Sequence, residues 1–106
     1  LTTGFTYTVD RDVQAVTVRL AGEIDLAAAP RVESAIEEAV AGEEGVDILI
    51  DLDAVTFLDS TGLRVLVAAH ARCAGEGRRL TLVNPSTAVS RILEITGLGQ
   101  TLLADS

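Results

Sequence analysis

Asp59-Ser60-Thr61-Gly62 places a carboxylate, two hydroxyls and a glycine directly ahead of Leu63, Leu66, Val67, His70, Ala71 and Ala74, which recur at helical spacing. A hydroxyl at the start of a helix meets backbone N–H groups that lack partners and the positive end of the helix dipole. Two chemistries fit that position: the side chain caps the helix, or it carries an added phosphate that the same N–H groups accommodate. Upstream, Asp51 and Asp53 alternate at the end of the aliphatic run Val46 to Leu52, where paired acids could serve as nucleophile and general acid. His70 and Cys73 are the only residues of their types.

The other constituents that enzyme chemistry needs are missing. I-D-L-D-A-V-T at Ile50 to Thr56 resembles the D-x-D motif of haloacid-dehalogenase-type phosphatases, but that chemistry also uses a Lys to stabilise the phosphoryl oxygens. All eight basic residues of this chain are Arg. The same lack of Lys argues against a receiver domain with Asp51 as acceptor, so Asp51 and Asp53 read as solvated acids at a strand end. One histidine and one cysteine cannot build a typical zinc site or a disulfide. Ten residues of helix hold His70 roughly 15 Å from Ser60, too far for a nucleophile–base pair. Cys73, with no Lys or His at i±4, reads as a small buried hydrophobe on the second helix. No G-x-x-x-x-G-K-[ST] loop is present. We expect no catalytic residue, no metal and no cofactor; ATP and Mg²⁺ for any phosphorylation must come from a partner.

The surrounding elements follow from patterning. With 106 residues, 48% hydrophobic and 3% aromatic, the core must be built from Val, Leu, Ile and Ala, which favours α/β layering in one domain spanning 1–106. Phe5, Tyr7 and Val9 alternate with threonines, Asp10-Arg11-Asp12 breaks the pattern, and Val13, Val16, Val18 and Leu20 complete a hairpin. A glycine turn over Ala21 to Asp25 ends the second strand and leaves Glu23 and Asp25 before a helix that begins around Ala28 or Pro30. Val32, Ile36, Ala39 and Val40 form its apolar face, Glu33, Glu37 and Glu38 its polar one, with a stop at Gly42 and a turn over Glu43-Glu44-Gly45.

Val46 to Leu52 reads as a buried, parallel central strand, followed by a turn over Ala54 to Leu58. After the D-S-T-G helix come a break at Gly75-Glu76-Gly77, a short strand through Leu80, Leu82 and Val83, and Asn84-Pro85. Ser86 or Thr87 caps a third helix that carries Val89, Ile92, Leu93 and Thr96 and closes at Gly97. The tail 98–106 fits a weak edge strand or a final helical turn. The predicted architecture is a small mixed, mostly parallel sheet with an N-terminal hairpin and helices packed on it. A crevice beyond the carboxyl ends of the parallel strands would bring the Ser60 turn and the Glu23–Asp25 loop onto one surface.

Three segments carry a resemblance across nearly the whole chain: L-A-G-E-I-D at Leu20 to Asp25, L-D-S-T-G-L-R-V-L at Leu58 to Leu66, and L-V-N-P-S at Leu82 to Ser86. They resemble the STAS family of anti-sigma factor antagonists. The resemblance implies that Ser60 is phosphorylated by a partner kinase, that Asp59, Thr61 and Gly62 form the turn presenting it, and that Asp25, with Glu23 nearby, lies on the kinase-facing surface. A glycine at 62 would keep a side chain from obstructing the kinase. Arg64 contacts the partner, pairs with the phosphate, or is simply solvated.

The resemblance further implies a partner that is both anti-sigma factor and serine/threonine kinase, bound in the unphosphorylated state so that a sigma factor is freed for transcription. A protein phosphatase would reset the switch. The alternative is a STAS subunit of a larger signalling or transporter assembly, docking constitutively. A net charge of −8 and a pI near 4.4 argue against nucleic acid and anionic membranes and favour a basic partner. No run approaches the ~18 apolar residues of a membrane span, so we expect a cytoplasmic protein that inserts in no membrane and is monomeric when free. Starting at Leu1, the sequence leaves room for a short native N-terminal piece.

Overall fold

The computed structural model describes residues 4–41 and 46–103. The expected stop at Gly42, the turn Glu43-Glu44-Gly45 and the last tail residues, 104–106, lie outside the described residues. Strands β1 (Phe5–Arg11) and β2 (Ala15–Ile24) form an antiparallel hairpin. The Asp12 carboxylate accepts hydrogen bonds from the N–H groups of Gln14 (2.7 Å) and Ala15 (3.2 Å) at its turn. Those two bonds favour the ionised form and hold Asp12 below the usual carboxylate range. Val13, expected within the second strand, sits in this turn and is 92% exposed.

Helix α1 (Ala29–Val40), strand β3 (Asp47–Leu58), helix α2 (Ser60–Gly75) and strand β4 (Leu80–Val83) follow. The sheet order is β1-β2-β3-β4, with β2, β3 and β4 mutually parallel. Both crossovers step the same way across the sheet, so right-handed connections put α1 and α2 on one face, where they pack against each other. The α1 residues Val32, Ala35, Ile36 and Ala39 are buried beneath exposed Glu33, Glu37 and Glu38, as the periodicity predicts. On α2 the buried stripe is Gly62, Leu63, Leu66, Ala69 and Cys73, whereas Ala71 and Ala74 face solvent. Alanine suits either face of a helix, so it gave the pattern no direction.

Helix α3 (Thr87–Thr96) packs along β3, and its N-cap is Ser86, whose hydroxyl accepts from the Val89 N–H at 3.3 Å. The tail satisfies both expectations in turn: α4 (Gly99–Leu102) is a single helical turn, and Leu103 then makes a parallel bridge to Leu82.

The largest departure from expectation is the end of β3. Ala54 to Leu58 is strand, not turn, and it pairs with an extension of β2 through Ala21↔Ala54, Gly22↔Val55, Glu23↔Phe57 and Ile24↔Leu58. Register shifts between Arg19 and Ala21 and between Gly22 and Glu23 interrupt this stretch. Buried Leu52, Val55 and Leu58 therefore recur every third residue, and a period-two pattern cannot find them. Gly22 permits the irregularity: its φ is +96°, and a Cβ there would lie 2.2 Å from the Gly4 carbonyl oxygen. It continues the strand that it was expected to end.

Ile50 lies at the centre of the sheet, flanked by Val18 and Leu82, and all three are fully buried. We predict that Ile50→Asp loses at least about 4 kcal/mol, because an unpaired carboxylate enters an apolar layer with no partner. Urea unfolding followed by circular dichroism checks this; a cooperative transition at the wild-type midpoint would contradict the central-strand assignment.

Candidate functional site

At the carboxyl end of β3 the chain turns directly into α2. Asp59 has extended backbone (φ −103°, ψ −177°), and its carboxylate accepts from the Gly62 N–H at 2.9 Å. Its carbonyl accepts from the Leu63 N–H at 3.0 Å, so Asp59 is the N-cap of the helix. Ser60 is the first helical residue and is exposed, and its hydroxyl has no hydrogen-bond partner among the described residues. The capping role open to Ser60 in the sequence is thus taken by its neighbour.

Two contacts fix this turn against the end of β2. The Asp59 N–H donates to the Ile24 carbonyl at 3.2 Å. Gly62 is buried, and a Cβ at that position would stand 2.5 Å from Ile24 Cγ2, 2.8 Å from Leu58 Cδ1 and 3.0 Å from the Ile24 carbonyl oxygen. A side chain at 62 would therefore meet the interior of the domain, at Ile24 and Leu58.

Glu23 pairs beside Phe57 on the adjoining strand ends and is exposed. Asp25 is half-buried and closes the turn leading to α1, where its Oδ1 accepts from the Ala28 N–H at 3.0 Å and its carbonyl accepts from Ala28 and Ala29. The fold thus gathers Glu23, Asp25 and Asp59 to Gly62 at one end of the sheet. Thr61 is half-buried, and Arg64 is exposed one turn further along α2, with no ion pair among the described residues. Two residues of this end went unremarked in the sequence: Leu26, 72% exposed, and Phe57, 47% exposed. Phe57 lay in a segment read as a turn, and Leu26 lies beyond the end of β2, in the turn that follows buried Ile24.

The remaining candidates stand elsewhere. Asp51 accepts from the Asp53 N–H at 3.0 Å and lies 3.7 Å from Arg19 Nε, and Arg19 also pairs with Asp10. This is an ion-pair ladder across the strands, and it corrects the reading of these acids as solvated strand-end residues: both lie within β3, which runs on to Leu58, and Asp51 is half-buried. His70 lines a polar recess with Arg79, Thr81, Gln100 and Thr101, two helical turns and more beyond Ser60. Burial pushes the Cys73 thiol up, which suppresses the nucleophilic thiolate. Among the described residues no group of three His, Cys, Asp or Glu side chains is placed to hold a metal ion, and no helix is long and apolar enough to cross a membrane. An open groove of about 760 Å³ between α1 and α2 is lined by Pro30, Glu33, Ile36, Val65 and Arg72, and not by Ser60.

Residues 7–104 match the family described as "Mlab, STAS domain". The chain is 39% identical over 89 residues to the anti-sigma-B factor antagonist of Listeria monocytogenes, covering 84% of this chain and 77% of that one. The crystal structure of an anti-sigma factor antagonist from Mycobacterium paratuberculosis superposes with a TM-score of 0.83 at 34% identity, over 97% of this chain and 87% of that one. The Bacillus cell fate determinant SpoIIAA in its phosphorylated form shares the fold, with a TM-score of 0.71 at 22% identity over 95% and 92% of the two chains.

The geometry of the turn predicts an ordered set of stabilities. Asp59→Ala removes the cap and should cost about 1 kcal/mol. Ser60→Ala removes an exposed hydroxyl and should fall within about 0.5 kcal/mol of wild type. Gly62→Ala drives a methyl group into Ile24 and Leu58 and should cost about 1–3 kcal/mol. Denaturant midpoints of the three variants check the order, which a cap at Ser60 would reverse for the first pair.

Proposed function

The chain belongs to the STAS domain family of anti-sigma factor antagonists, and from that premise we propose that it is an antagonist switched by phosphorylation of Ser60. In this reading the unphosphorylated protein binds an anti-sigma factor that is also a serine kinase, and so frees a sigma factor for transcription in the cytoplasm. The kinase then phosphorylates Ser60 and is released, and a phosphatase restores the binding form. The chain is a binding partner and a substrate; the chemistry of phosphoryl transfer is supplied by the kinase with its ATP and Mg²⁺.

The observation that carries this reading is the division of labour between Asp59 and Ser60. Because Asp59 caps the helix, the Ser60 hydroxyl is exposed and available without loss of a structural bond. A phosphate on it meets the first-turn N–H groups and the positive end of the α2 dipole, which favour negative charge. A domain of this fold accommodates phosphorylation, since SpoIIAA is known in both unphosphorylated and phosphorylated forms. Supporting roles go to Asp59, Thr61 and Gly62, which set the turn, and to Glu23, Asp25 and Arg64 around it.

Incubation with the cognate kinase and Mg-ATP should add one phosphate, mapped by mass spectrometry to Ser60; mapping to Thr61 or Ser86 would refute the assignment. Ser60→Ala should bind the kinase and resist switching. Ser60→Asp supplies one charge where phosphate brings about 1.5 to 2, so it should weaken binding by roughly tenfold, about 1.4 kcal/mol, without abolishing it. Equal affinity of the phosphorylated and unphosphorylated forms would instead favour constitutive docking in a larger assembly.

A further inference from the structure

Building on the reading of Ser60 as the switch, we propose that Leu26 and Phe57 are apolar anchors that seat the anti-sigma factor, and that phosphate releases it because phosphate cannot be desolvated between them. Among the described residues four large apolar side chains are exposed: Val13, Leu26, Phe57 and Ile95. Single exposed apolar residues are ordinary; two that flank the same strand ends and the same modifiable hydroxyl are candidates for one contact surface. Leu26 and Phe57 belong to the same end of the sheet. Phe57 precedes Ser60 by three residues and lies beside Glu23 in the register, and Leu26 follows Ile24, whose carbonyl holds the Asp59 N–H. The Leu26 side chain stands in solvent in a turn already closed by Asp25, so the fold makes little use of it.

Charge narrows the partner and the physical origin of the switch. Around the pair stand Glu23, exposed, with Asp25 and Asp59, half-buried, against the cation Arg64, in a chain of net charge −8. The complement is a surface with an apolar centre and a basic rim. Toward a basic rim, added negative charge is by itself attractive, so repulsion does not account for release. Loss of hydration does: a group carrying about 1.5 to 2 negative charges would have to leave water as the apolar centre closes over it. In the free protein the phosphate remains hydrated at the start of α2, and the domain keeps its fold.

The test is calorimetric titration against the purified serine-kinase anti-sigma factors of the source genome. Leu26→Ala and Phe57→Ala should each weaken binding by roughly tenfold or more, with unchanged melting, because hot spots concentrate in such central anchors. Leu26→Asn repeats the test at the more exposed site, and Val13→Ala and Ile95→Ala, on other elements, should bind within about twofold of wild type. Between roughly 0.05 and 0.5 M salt the ratio of phosphorylated to unphosphorylated Kd should rise or fall by less than about threefold, since desolvation is not screened while the attraction of phosphate to a basic rim is. Wild-type affinity in the Leu26 and Phe57 variants, with phosphorylation still blocking binding, overturns the anchors and leaves the switch intact. A ratio that falls by threefold or more with salt overturns desolvation as the cause. Failure of the unphosphorylated wild type to bind any of these kinases refutes the functional reading itself, and this inference with it.

Discussion

The close approach of Gly62 to Ile24 and Leu58 is the constraint on which the rest of this end of the sheet depends. With hydrogen in place of a side chain, the first turn of α2 settles against the end of β2, and the Asp59 N–H reaches the Ile24 carbonyl. That contact requires Ile24 to arrive in the right place, and the two register shifts around Gly22 are what carry it there. The two extra residues of β3 opposite this stretch of β2 thus determine where the helix that follows β3 can begin. Ser60, one residue past the cap, inherits its exposure from both.

Five of the sixteen acids of this chain show how negative charge can serve structure. The side chains of Asp12, Asp25, Asp47, Asp51 and Asp59 each accept a backbone N–H, at Gln14, Ala28, Arg79, Asp53 and Gly62 respectively. Turns and a helix end that would leave donors unpaired are closed by carboxylates. Asp51 and Asp53, which in sequence could have been a catalytic pair, instead lie within β3, where Asp51 accepts the Asp53 N–H and has Arg19 as counterion. Acids that look like a reactive pair in one dimension are held here by backbone N–H groups and a neighbouring arginine.

What could be read from sequence follows from the same physics. The core of β3 was legible because Ile48, Ile50 and Leu52 are consecutive inward positions of an unbroken strand. Its second half was not, because bulges change the spacing of inward residues from two to three and imitate a turn. The apolar stripe of α1 was legible because glutamates mark its outer face; that of α2 was blurred by alanines, which are indifferent to solvent. At the site, the resemblance picked out Ser60, but propensity could not tell whether Asp59 or Ser60 capped the helix, since both residue types rank high for that position. Only the extended backbone of Asp59 and its bond to Gly62 distinguish them. Leu26 and Phe57 escaped notice because periodicity searches for what is buried, and both are exposed.

The sheet order β1-β2-β3-β4 follows the order of synthesis, and this has a kinetic consequence. Each strand pairs with the one made just before it, so every closure spans at most one helix and the entropy of bringing distant segments together stays small. The corner formed by Ile24, Leu58, Asp59 and Gly62 is complete in chain terms with the first turn of α2, which precedes β4 and α3 in the sequence. Its surface is assembled from the N-terminal two-thirds of the polypeptide, and the later elements then lock the layer beneath it. A sheet order that follows chain order keeps each successive strand pairing local, so the topology favours folding from the N-terminal hairpin onward.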